Sequence, residues 1–421
     1  MSGEAGGIAS AAPAAGAAGA TGIEAPRAQA PIHVEAPPTP SAVAAELAAA
    51  RARGIKVLPR GRGTRRGPAA TAGSVDRIVS TEKLTKVVEY EPGDQTITLQ
   101  AGVALTDLDA LLARHGQCLP VQQSAGTIGG LLASGADGAL DLGYGRLRDR
   151  LLGCTLALAN GALVGGRGRV VKNVAGYDLP RLLLGSLGTL GIVVEASLRV
   201  QPRPQAHTSM VFRFGSAEPA FAAAGALLDS GLEPVFCDVL LTANVPVAGP
   251  ELTARLAFGF DGLRSAVPQL IGAADECVSP HEPTALELGA GEHDEPLRAA
   301  LHEPQGAAVL RVQAPRTALP ALATELARIA HATGVKVRLD ARPGLGVILL
   351  AIDPAPEGLV RELLATARAS GPTVLLEGPA AIGAPDDVWG APPPDFPLMQ
   401  SIKRAFDAES VLAAGRYVGG L

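Results

Sequence analysis

The sequence predicts an α+β protein in two parts, the first rich in glycine loops and the second rich in alternating strands. In the first part, three glycine-rich loops each follow or precede a predicted strand. From His207 onward, strand and helix patterns occur twice in a β-α-β-β-α order. That order is typical of an antiparallel sheet with helices on one face. Hydrophobic residues make up 47% of the 421 residues, which is enough for two packed cores.

Composition argues against several functional classes. Aromatic residues make up only 3% of the chain and the formal net charge is -5, whereas nucleic-acid binders need exposed rings or a basic surface. No apolar run reaches the roughly 20 residues that span a bilayer. The cysteines are too far apart for a zinc or iron–sulfur site and predict buried thiols in a reducing, cytoplasmic compartment. They are Cys118, Cys154, Cys237 and Cys277.

The first 60 residues predict a tail followed by a helix and a strand. Residues 1–38 are mostly Ala, Gly and Pro and cannot bury enough surface to fold, so we expect a disordered tail. Ser41 is a candidate cap for a helix that ends before Gly54. A short strand is predicted at 55–58.

The first glycine loop combines backbone freedom with positive charge. Such a loop suits a pyrophosphate because amides and a hydroxyl donate hydrogen bonds while arginines neutralise charge. A solvated basic turn is the alternative. Arg66 stands where a dinucleotide-binding fingerprint needs its third glycine, and Gly67-Pro68 prevents a following helix, so that fingerprint is disfavoured. The loop contains Pro59, Arg60, Gly61, Arg62, Gly63 and Thr64.

The segments after this loop continue the α+β pattern. Strands are predicted at 77–79 and 96–100, and a helix from Leu105 that ends at Gly116. Asn160-Gly161 indicates a hairpin with a type I′ turn.

Two further glycine clusters can also present backbone amides and hydroxyls. We expect the three clusters to converge on one extended ligand with more than one polar region. A glycine-rich turn before a strand remains the alternative for the last cluster taken alone. The second cluster contains Gly126, Thr127, Ile128, Gly129, Gly130, Ser134 and Gly135, and the third spans Gly176, Tyr177, Asp178, Gly188, Thr189, Gly191 and Ile192.

An acidic, proline-rich span from Ser279 to Pro304 follows the first β-α-β-β-α unit of the second part and predicts a long loop. Its histidines are spaced too irregularly for a metal site, so we expect no metal. They are His281, His293 and His302.

Five motifs carry a family resemblance: P-R-G-R-G-T, T-I-G-G-L-L-A-S-G, Y-G-R-L-R-D, N-V-A-G-Y-D-L and G-S-L-G-T-L-G. In this order they resemble the PCMH-type FAD-binding domain of the vanillyl-alcohol-oxidase superfamily, and in particular the E subunits of bacterial glycolate oxidases. The resemblance implies a two-part FAD-binding domain at 39–205 and a short ferredoxin-like cap domain at 206–395. It also implies a C-terminal helix and tail at 396–421 that pack back on the FAD domain.

The resemblance implies roles for the residues named above. The Arg60–Thr64 loop and the 127–134 segment would wrap the pyrophosphate and isoalloxazine, and 188–192 would line the adenosine side. Tyr177 and Asp178 would shape the wall near the flavin, and Arg148 would join the cofactor site. Thr64 stands where covalent members carry a histidine, so the resemblance implies FAD held non-covalently.

The implied function is that of an FAD-binding subunit of a glycolate (2-hydroxy acid) oxidase or dehydrogenase complex. Its partners would be a larger flavoprotein subunit and an iron–sulfur subunit, with peripheral association at the inner face of the membrane. The family's catalytic members carry G-E-H-G-I-G before the last helix, whereas residues 291–294 here match it only by chance. A non-catalytic electron-relay subunit and a stand-alone FAD oxidase therefore stay open, and no general base is assigned.

Four cations remain candidates for holding a substrate carboxylate. Surface ion pairing is the commoner fate of such side chains. The four are Arg146, Arg148, Lys172 and Arg181.

Overall fold

The computed structural model describes residues 32–64, 75–122, 125–135, 137–166, 178–244, 252–290 and 304–421. The chain divides into Met1–Ile32 and His33–Leu421, and only the second unit is described below.

The first part of the chain contributes ten strands within the described ranges. A parallel sheet has the order β1-β3-β2, and an antiparallel sheet has the order β4-β5-β9-β7-β8. A short antiparallel pair joins β6 and β10. In this nomenclature the strands are β1 (His33–Glu35), β2 (Val57–Arg60), β3 (Arg77–Ser80), β4 (Val87–Glu91), β5 (Thr96–Gln100), β6 (Gln117–Cys118), β7 (Leu151–Ala157), β8 (Leu163–Gly166), β9 (Ile192–Arg199) and β10 (Gln201–Pro202).

Two local predictions for this part need correction. The predicted tail at 1–38 is wrong for His33–Glu35, because these residues pair in parallel with Arg77–Val79; residues 1–31 lie outside the described ranges. The hairpin at Asn160-Gly161 forms, with Ala157 opposite Leu163. However, Gly161 alone of the two has a positive φ (84°), and a type I′ turn needs both.

The two predicted helices of the first part both form, the second from Leu105 as predicted and the first with a shifted cap, whereas the helices at 128–134, 141–144 and 179–183 were not predicted. Thr39, rather than Ser41, caps the first helix, and its Oγ1 accepts from the Ala42 amide at 3.1 Å. Pro40 explains the shift, because proline favours the first helical position. The helices are α1 (Pro40–Ala52), α2 (Leu105–Ala113), α3 (Ile128–Ser134), α4 (Asp141–Tyr144) and α5 (Leu179–Leu183), with a 3₁₀ turn at Leu147–Asp149.

The second part forms an eight-stranded antiparallel sheet among the described residues. Its strand order is β14-β11-β13-β12-β16-β17-β15-β18. Two β-α-β-β-α-β units meet where β12 pairs with β16. The elements are β11 (Ala206–Phe214), α6 (Ala217–Asp229), β12 (Phe236–Ala243), β13 (Thr253–Gly262), α7 (Val267–Val278), a 3₁₀ turn (Ser279–His281), β14 (Ala285–Ala290), β15 (Ala308–Gln313), α8 (Leu319–Ala332), β16 (Lys336–Arg342), β17 (Val347–Asp353), α9 (Glu357–Ser370) and β18 (Thr373–Glu377).

Strand β14 corrects the prediction of an uninterrupted loop from Ser279 to Pro304. It pairs with β11 from Thr208↔Ala290 to Arg213↔Ala285 and so completes the first unit. Strand β14 lies at the edge of the sheet and pairs with one neighbour only. Edge strands are less apolar than central strands, which explains the weak sequence signal of β14.

Alternation along the strands assigns the two faces of the large sheet. In β15, Leu310 and Val312 join the core beneath the helices, whereas Val309 and Arg311 line a cavity on the opposite face. Successive residues of a strand point to opposite faces. The same rule places Arg342 of β16 on the cavity face, because Leu339 and Ala341 belong to the helix-side core.

The chain ends in α10 (Pro385–Trp389), α11 (Phe396–Phe406) and a 3₁₀ turn (Val418–Gly420). Ile402 and Phe406 of α11 pack against the core of the five-stranded sheet. Lys403 is 5% exposed and donates to Asp407 Oδ2 at 2.7 Å, to the Thr189 carbonyl at 2.7 Å and to the Leu412 carbonyl at 3.0 Å. Over the described residues, no helix is both long and apolar enough to cross a bilayer.

Candidate functional site

Three separate segments of the first part enclose a cavity of about 490 Å³, called the first cavity below. The segments are the loop at 59–64, the region at 125–134 and the turn at 187–193, and Arg416 joins them from the C-terminal segment. The three glycine clusters of the sequence therefore converge wherever the structure describes them.

Local hydrogen bonds and backbone geometry fix the second of these segments. Thr127 precedes α3, and its Oγ1 accepts from the Gly130 amide at 3.2 Å. Gly135 ends α3 with a φ of 57°, in the left-handed region that glycine adopts without a Cβ penalty. Thr127 is 2% exposed, so its hydroxyl serves the helix cap.

Close contacts explain why glycine occupies three of the lining positions. A Cβ at Gly61 would lie 2.4 Å from Thr127 Oγ1, and one at Gly188 would lie 2.9 Å from Pro59 Cγ. A Cβ at Gly129 would lie 2.9 Å from the Cβ of Ala101. The Gly61 and Gly188 contacts hold the 59–64 loop against the other two segments. A larger residue at either position would separate the walls of the cavity.

The lining of the first cavity is positively charged. Among the described lining residues are Arg60, Arg62 and Arg416, with no Asp, Glu, His or Cys. Burial lowers the pKa of Arg416, although arginine stays cationic in proteins. None of the described residues accepts a hydrogen bond from the backbone amides of 61–64. Free amides beside the guanidinium groups of Arg60 and Arg62 are the donor set that a diphosphate requires.

A second cavity, of about 750 Å³, adjoins the first. Both cavities are lined by Thr64, Ser134 and Leu187, so the two spaces meet at these residues. The large sheet supplies the far wall, with an apolar surface from β15, β17 and β18. Its polar groups include Asp137, Arg311, Arg342, Glu377 and Tyr417, and Trp389 lies beside them.

The structure brings most of the predicted cofactor residues together. The residues that line the first cavity are Pro59, Arg60, Gly61, Arg62, Gly63, Thr64, Gly126, Thr127, Gly129, Gly130, Ser134, Gly188, Gly191 and Ile192.

The remaining predicted residues lie elsewhere. Ile128 is 0% exposed in the core, and Thr189 donates its hydroxyl to the Ser186 carbonyl at 2.7 Å. Gly135 lines the second cavity, Asp178 caps α5, and Arg148 is a surface residue 3.6 Å from Asp149. Cofactor contact by these five stays a prediction, and Gly176 and Tyr177 lie outside the described ranges.

Sequence reasoning missed the cations of the second cavity. Of the four predicted carboxylate-binding candidates, Arg181 pairs with Asp178 at 3.2 Å, and Arg146 and Arg148 do not line either cavity. Lys172 and the 291–294 match lie outside the described ranges. Arg311 and Arg342 line the second cavity instead. Their only sequence signal is a charged residue within an alternating strand.

The prediction of buried thiols holds for Cys154 and Cys237 and is wrong for Cys118 and Cys277, which are partly exposed. All four are free. Burial raises the pKa of the Cys154 thiol to about 12 and also raises that of Cys237. Within the described part of the chain, no group of three His, Cys, Asp or Glu side chains could hold a metal ion.

Comparison with known proteins identifies the first part of the chain. Residues 31–165 match the family model of the FAD binding domain. An uncharacterized FAD-linked oxidoreductase of Mycobacterium tuberculosis is 33% identical over 233 residues, which are 55% of this chain and 50% of that protein. Glycolate oxidase subunit GlcE of Escherichia coli K12 is 39% identical over 128 residues, which are 30% of this chain and 37% of that protein.

The fold is shared over a longer range. A solved structure of alkyldihydroxyacetonephosphate synthase superposes with a TM-score of 0.68 at 16% identity, covering 90% of this chain and 75% of that one. This match confirms the predicted α+β fold. The chain spans half the length or less of these two curated relatives. The match at 31–165 confirms FAD as the cofactor and places the first two glycine clusters within an FAD binding domain.

Proposed function

We propose that this chain is the FAD-bearing subunit of a 2-hydroxy-acid (glycolate) oxidase or dehydrogenase complex, of the E-subunit type. The observation that carries the proposal is the first cavity, where three glycine segments and three arginines form a cationic cradle inside an FAD binding domain. The name of the Escherichia coli relative, a glycolate oxidase subunit, supports both the substrate class and an assembly of several chains.

The residues present fit an FAD molecule in two sections. Arg60, Arg62 and Arg416 would neutralise the diphosphate, and Gly61 and Gly188 would let the three segments pack closely enough to surround it. Thr64 and Ser134 would border the flavin ring where the two cavities meet. When bound, FAD supplies two-electron redox chemistry at its ring, and the protein supplies binding and orientation.

The lining also supports non-covalent attachment. The described residues around both cavities include no histidine or cysteine that could form the common covalent links to the flavin ring. The FAD-binding region at 39–205, the cap at 206–395 and the C-terminal segment at 396–421 would act as one unit around the cofactor.

The proposed partners follow from the resemblance to glycolate oxidase E subunits. A larger flavoprotein subunit and an iron–sulfur subunit would take part in substrate oxidation and carry the electrons away. The complex would be cytoplasmic and would associate with the inner face of the membrane.

The proposal is tested on the purified full-length chain. We expect a flavin absorption spectrum or tight uptake of added FAD, and release of the flavin into the supernatant on acid precipitation. A folded chain that stays colourless and takes up no FAD would refute the proposal. Flavin that stays with the precipitate would refute non-covalent attachment only.

An electron-relay subunit without substrate turnover is the second candidate. The absence of histidine from the described lining of the second cavity favours it, because histidine is the most common general base. Anaerobic mixing with glycolate separates the two candidates. Bleaching of the flavin band with this chain alone would exclude the relay, whereas bleaching that requires the partner subunits would favour it.

A further inference from the structure

The second cavity contains a buried cation whose hydrogen bonds are not satisfied. Arg342 is 1% exposed, and its Nε, Nη1 and Nη2 form no hydrogen bond with any described residue. A guanidinium group carries five N–H donors, and each buried donor without an acceptor costs about 1–3 kcal/mol. A buried guanidinium group in a cavity wall therefore needs hydrogen-bond acceptors, either from neighbouring residues or from a bound ligand.

The neighbouring acid does not supply them. Asp238, on the adjacent strand β12, has its Oδ2 3.4 Å from Arg342 Nε, and neither of these atoms is hydrogen-bonded. Burial raises the pKa of the Asp238 carboxyl to about 7, against the opposing effect of Arg342. Asp238 therefore offers a weak contact at the Nε side and leaves the two Nη atoms without an acceptor.

The other charged groups of the wall are already used or lie at its edge. Arg311 donates to Asp137 Oδ2, so this cation is neutralised by its own partner. Glu377 is exposed at the end of β18. Arg342 is thus the cation of the described lining that has no hydrogen-bonded carboxylate partner.

We infer that the second cavity binds a small carboxylate, which pairs in a bidentate manner with the Nη atoms of Arg342. The planar guanidinium matches the two carboxylate oxygens, and the apolar wall formed by Val309, Val347 and Leu349 keeps water away from the pair. The cavity of about 750 Å³ falls within the usual range for small ligands. The inference rests on the proposed function for the identity of the acid as a 2-hydroxy acid.

The position of the cavity connects this site to the cofactor. Thr64, Ser134 and Leu187 line both cavities, so a carboxylate on Arg342 would lie across the second cavity from the FAD-binding cradle. Arg342 would then be a residue that holds the substrate acid, and this chain, rather than a partner subunit, would contain the acid-binding site.

The test measures binding by calorimetry on the purified full-length chain with its flavin. The ligands are glycolate, the non-reacting dianion oxalate, and glycolamide, which has the hydroxyl but no charge. We expect both acids to bind and glycolamide not to bind. Arg342→Met should weaken acid binding about 10- to 100-fold, the loss expected for hydrogen bonds to a charged group, and Arg342→Lys should restore part of it.

Arg361→Met is the matched control. It removes a cation of the same part of the chain, where Arg361 pairs with Glu357 at 2.9 Å on the surface, and we expect no change in acid binding. Equal weakening by both variants would show a general charge effect and would overturn the inference.

Stability separates a binding role from a structural one. Arg342→Met alone would leave the buried Asp238 carboxyl without its cation, and removing one partner of a buried pair is destabilising. Replacing both charges is often neutral or stabilising, so the double variant Arg342→Met/Asp238→Asn should unfold at the same or a higher urea concentration than the natural chain. Loss of folding in the double variant would show a structural role for this pair of charges and overturn the inference. If the chain binds FAD but neither acid, only this inference is overturned. If the chain binds no FAD, the proposed function is refuted, and acid binding can still be measured separately.

Discussion

The buried ammonium group of Lys403 links the C-terminal segment to the FAD-binding part of the chain. It donates to the Thr189 carbonyl, to Asp407 Oδ2 and to the Leu412 carbonyl, at 2.7, 2.7 and 3.0 Å. Lys403→Met keeps most of the side-chain volume and removes all three bonds. Breaking a buried ion pair by removing one partner costs about 3–5 kcal/mol. The Asp407 carboxylate keeps the amides of 411 and 412 as donors, so we expect the lower half of this range.

The single tryptophan provides the assay. Trp389 donates its Nε1–H to the Arg416 carbonyl at 3.2 Å and its ring lies 4.8 Å from that of Tyr417, so its fluorescence reports on the C-terminal segment. The urea slope grows with the surface exposed on unfolding and is about 3 kcal/mol per M or more for a chain of 421 residues, so a loss of about 3 kcal/mol lowers the unfolding midpoint by about 1 M or less. FAD affinity should fall as well, because Arg416 lines the first cavity.

Lys56→Met is the matched control. Lys56 donates to the carbonyls of Glu409 and Ser410, both at 2.9 Å, and therefore binds the same turn from a more exposed position. Hydrogen bonds contribute about 0.5–1.5 kcal/mol each. Because the Lys56 side chain is more exposed, we expect its two bonds to lie at the low end of this range. Equal midpoint shifts for Lys56→Met and Lys403→Met would show that burial of the ammonium group contributes nothing and would refute the reasoning.

Two further predictions follow from the same structure. Gly61→Ala places a Cβ 2.4 Å from the hydroxyl that caps α3, so FAD binding, measured by flavin fluorescence, should weaken at least about tenfold, or about 1.4 kcal/mol; Gly93→Ala, with nothing within 4 Å of its Cβ, should leave it unchanged. Burial raises the pKa of Asp238 to about 7 from 3.8, with Arg342 opposing and Asp340 reinforcing the shift. The folded state then binds more protons than the unfolded state between about pH 4 and 7. The free energy of unfolding should therefore fall as pH rises through this window, by at most about 1.4 kcal/mol per pH unit for this one group. Asp238→Asn should make the dependence shallower and leave the share of Asp141, whose pKa burial raises to about 6.

Local signals predicted the first cavity well, because glycine and cap residues report on their own backbone. Thr127 and Gly135 bound α3 at positions where a cap hydroxyl and a left-handed residue were needed. The strand Thr96–Gln100 has the bounds, and the helix from Leu105 has the start, that their apolar periods predict. In each case the residues that predict the element belong to that element or to the turn next to it.

Pairing between distant segments was not predictable in the same way. His33–Glu35 forms a strand only because β3 offers a partner about 44 residues later in the sequence, and the Ala and Pro residues on both sides of it predicted a tail. Strand β14 lies in an acidic, proline-rich span and depends on the open edge of β11. An edge strand is defined by its neighbour, and the neighbour is not visible in a single stretch of sequence.

The polar groups of the second cavity were also not predictable from local sequence patterns. The alternation of Leu339, Asp340, Ala341 and Arg342 predicts a strand with one apolar and one polar face, and a polar face is normally read as solvent-exposed. Here Asp340 is 0% exposed and Arg342 1%, because residues from the FAD-binding part cover that face: a Cβ at Gly344, in the turn after Arg342, would lie 2.5 Å from Leu142 of α4. The alternation along a strand predicts the face of the sheet on which a side chain lies. Whether that face is exposed or covered depends on the rest of the fold. A charge on the polar face of a strand in a cap-type sheet should therefore be treated as a candidate ligand contact until its partner is known, which is the reason for testing Arg342 before the surface arginines that the glycine motifs first suggested.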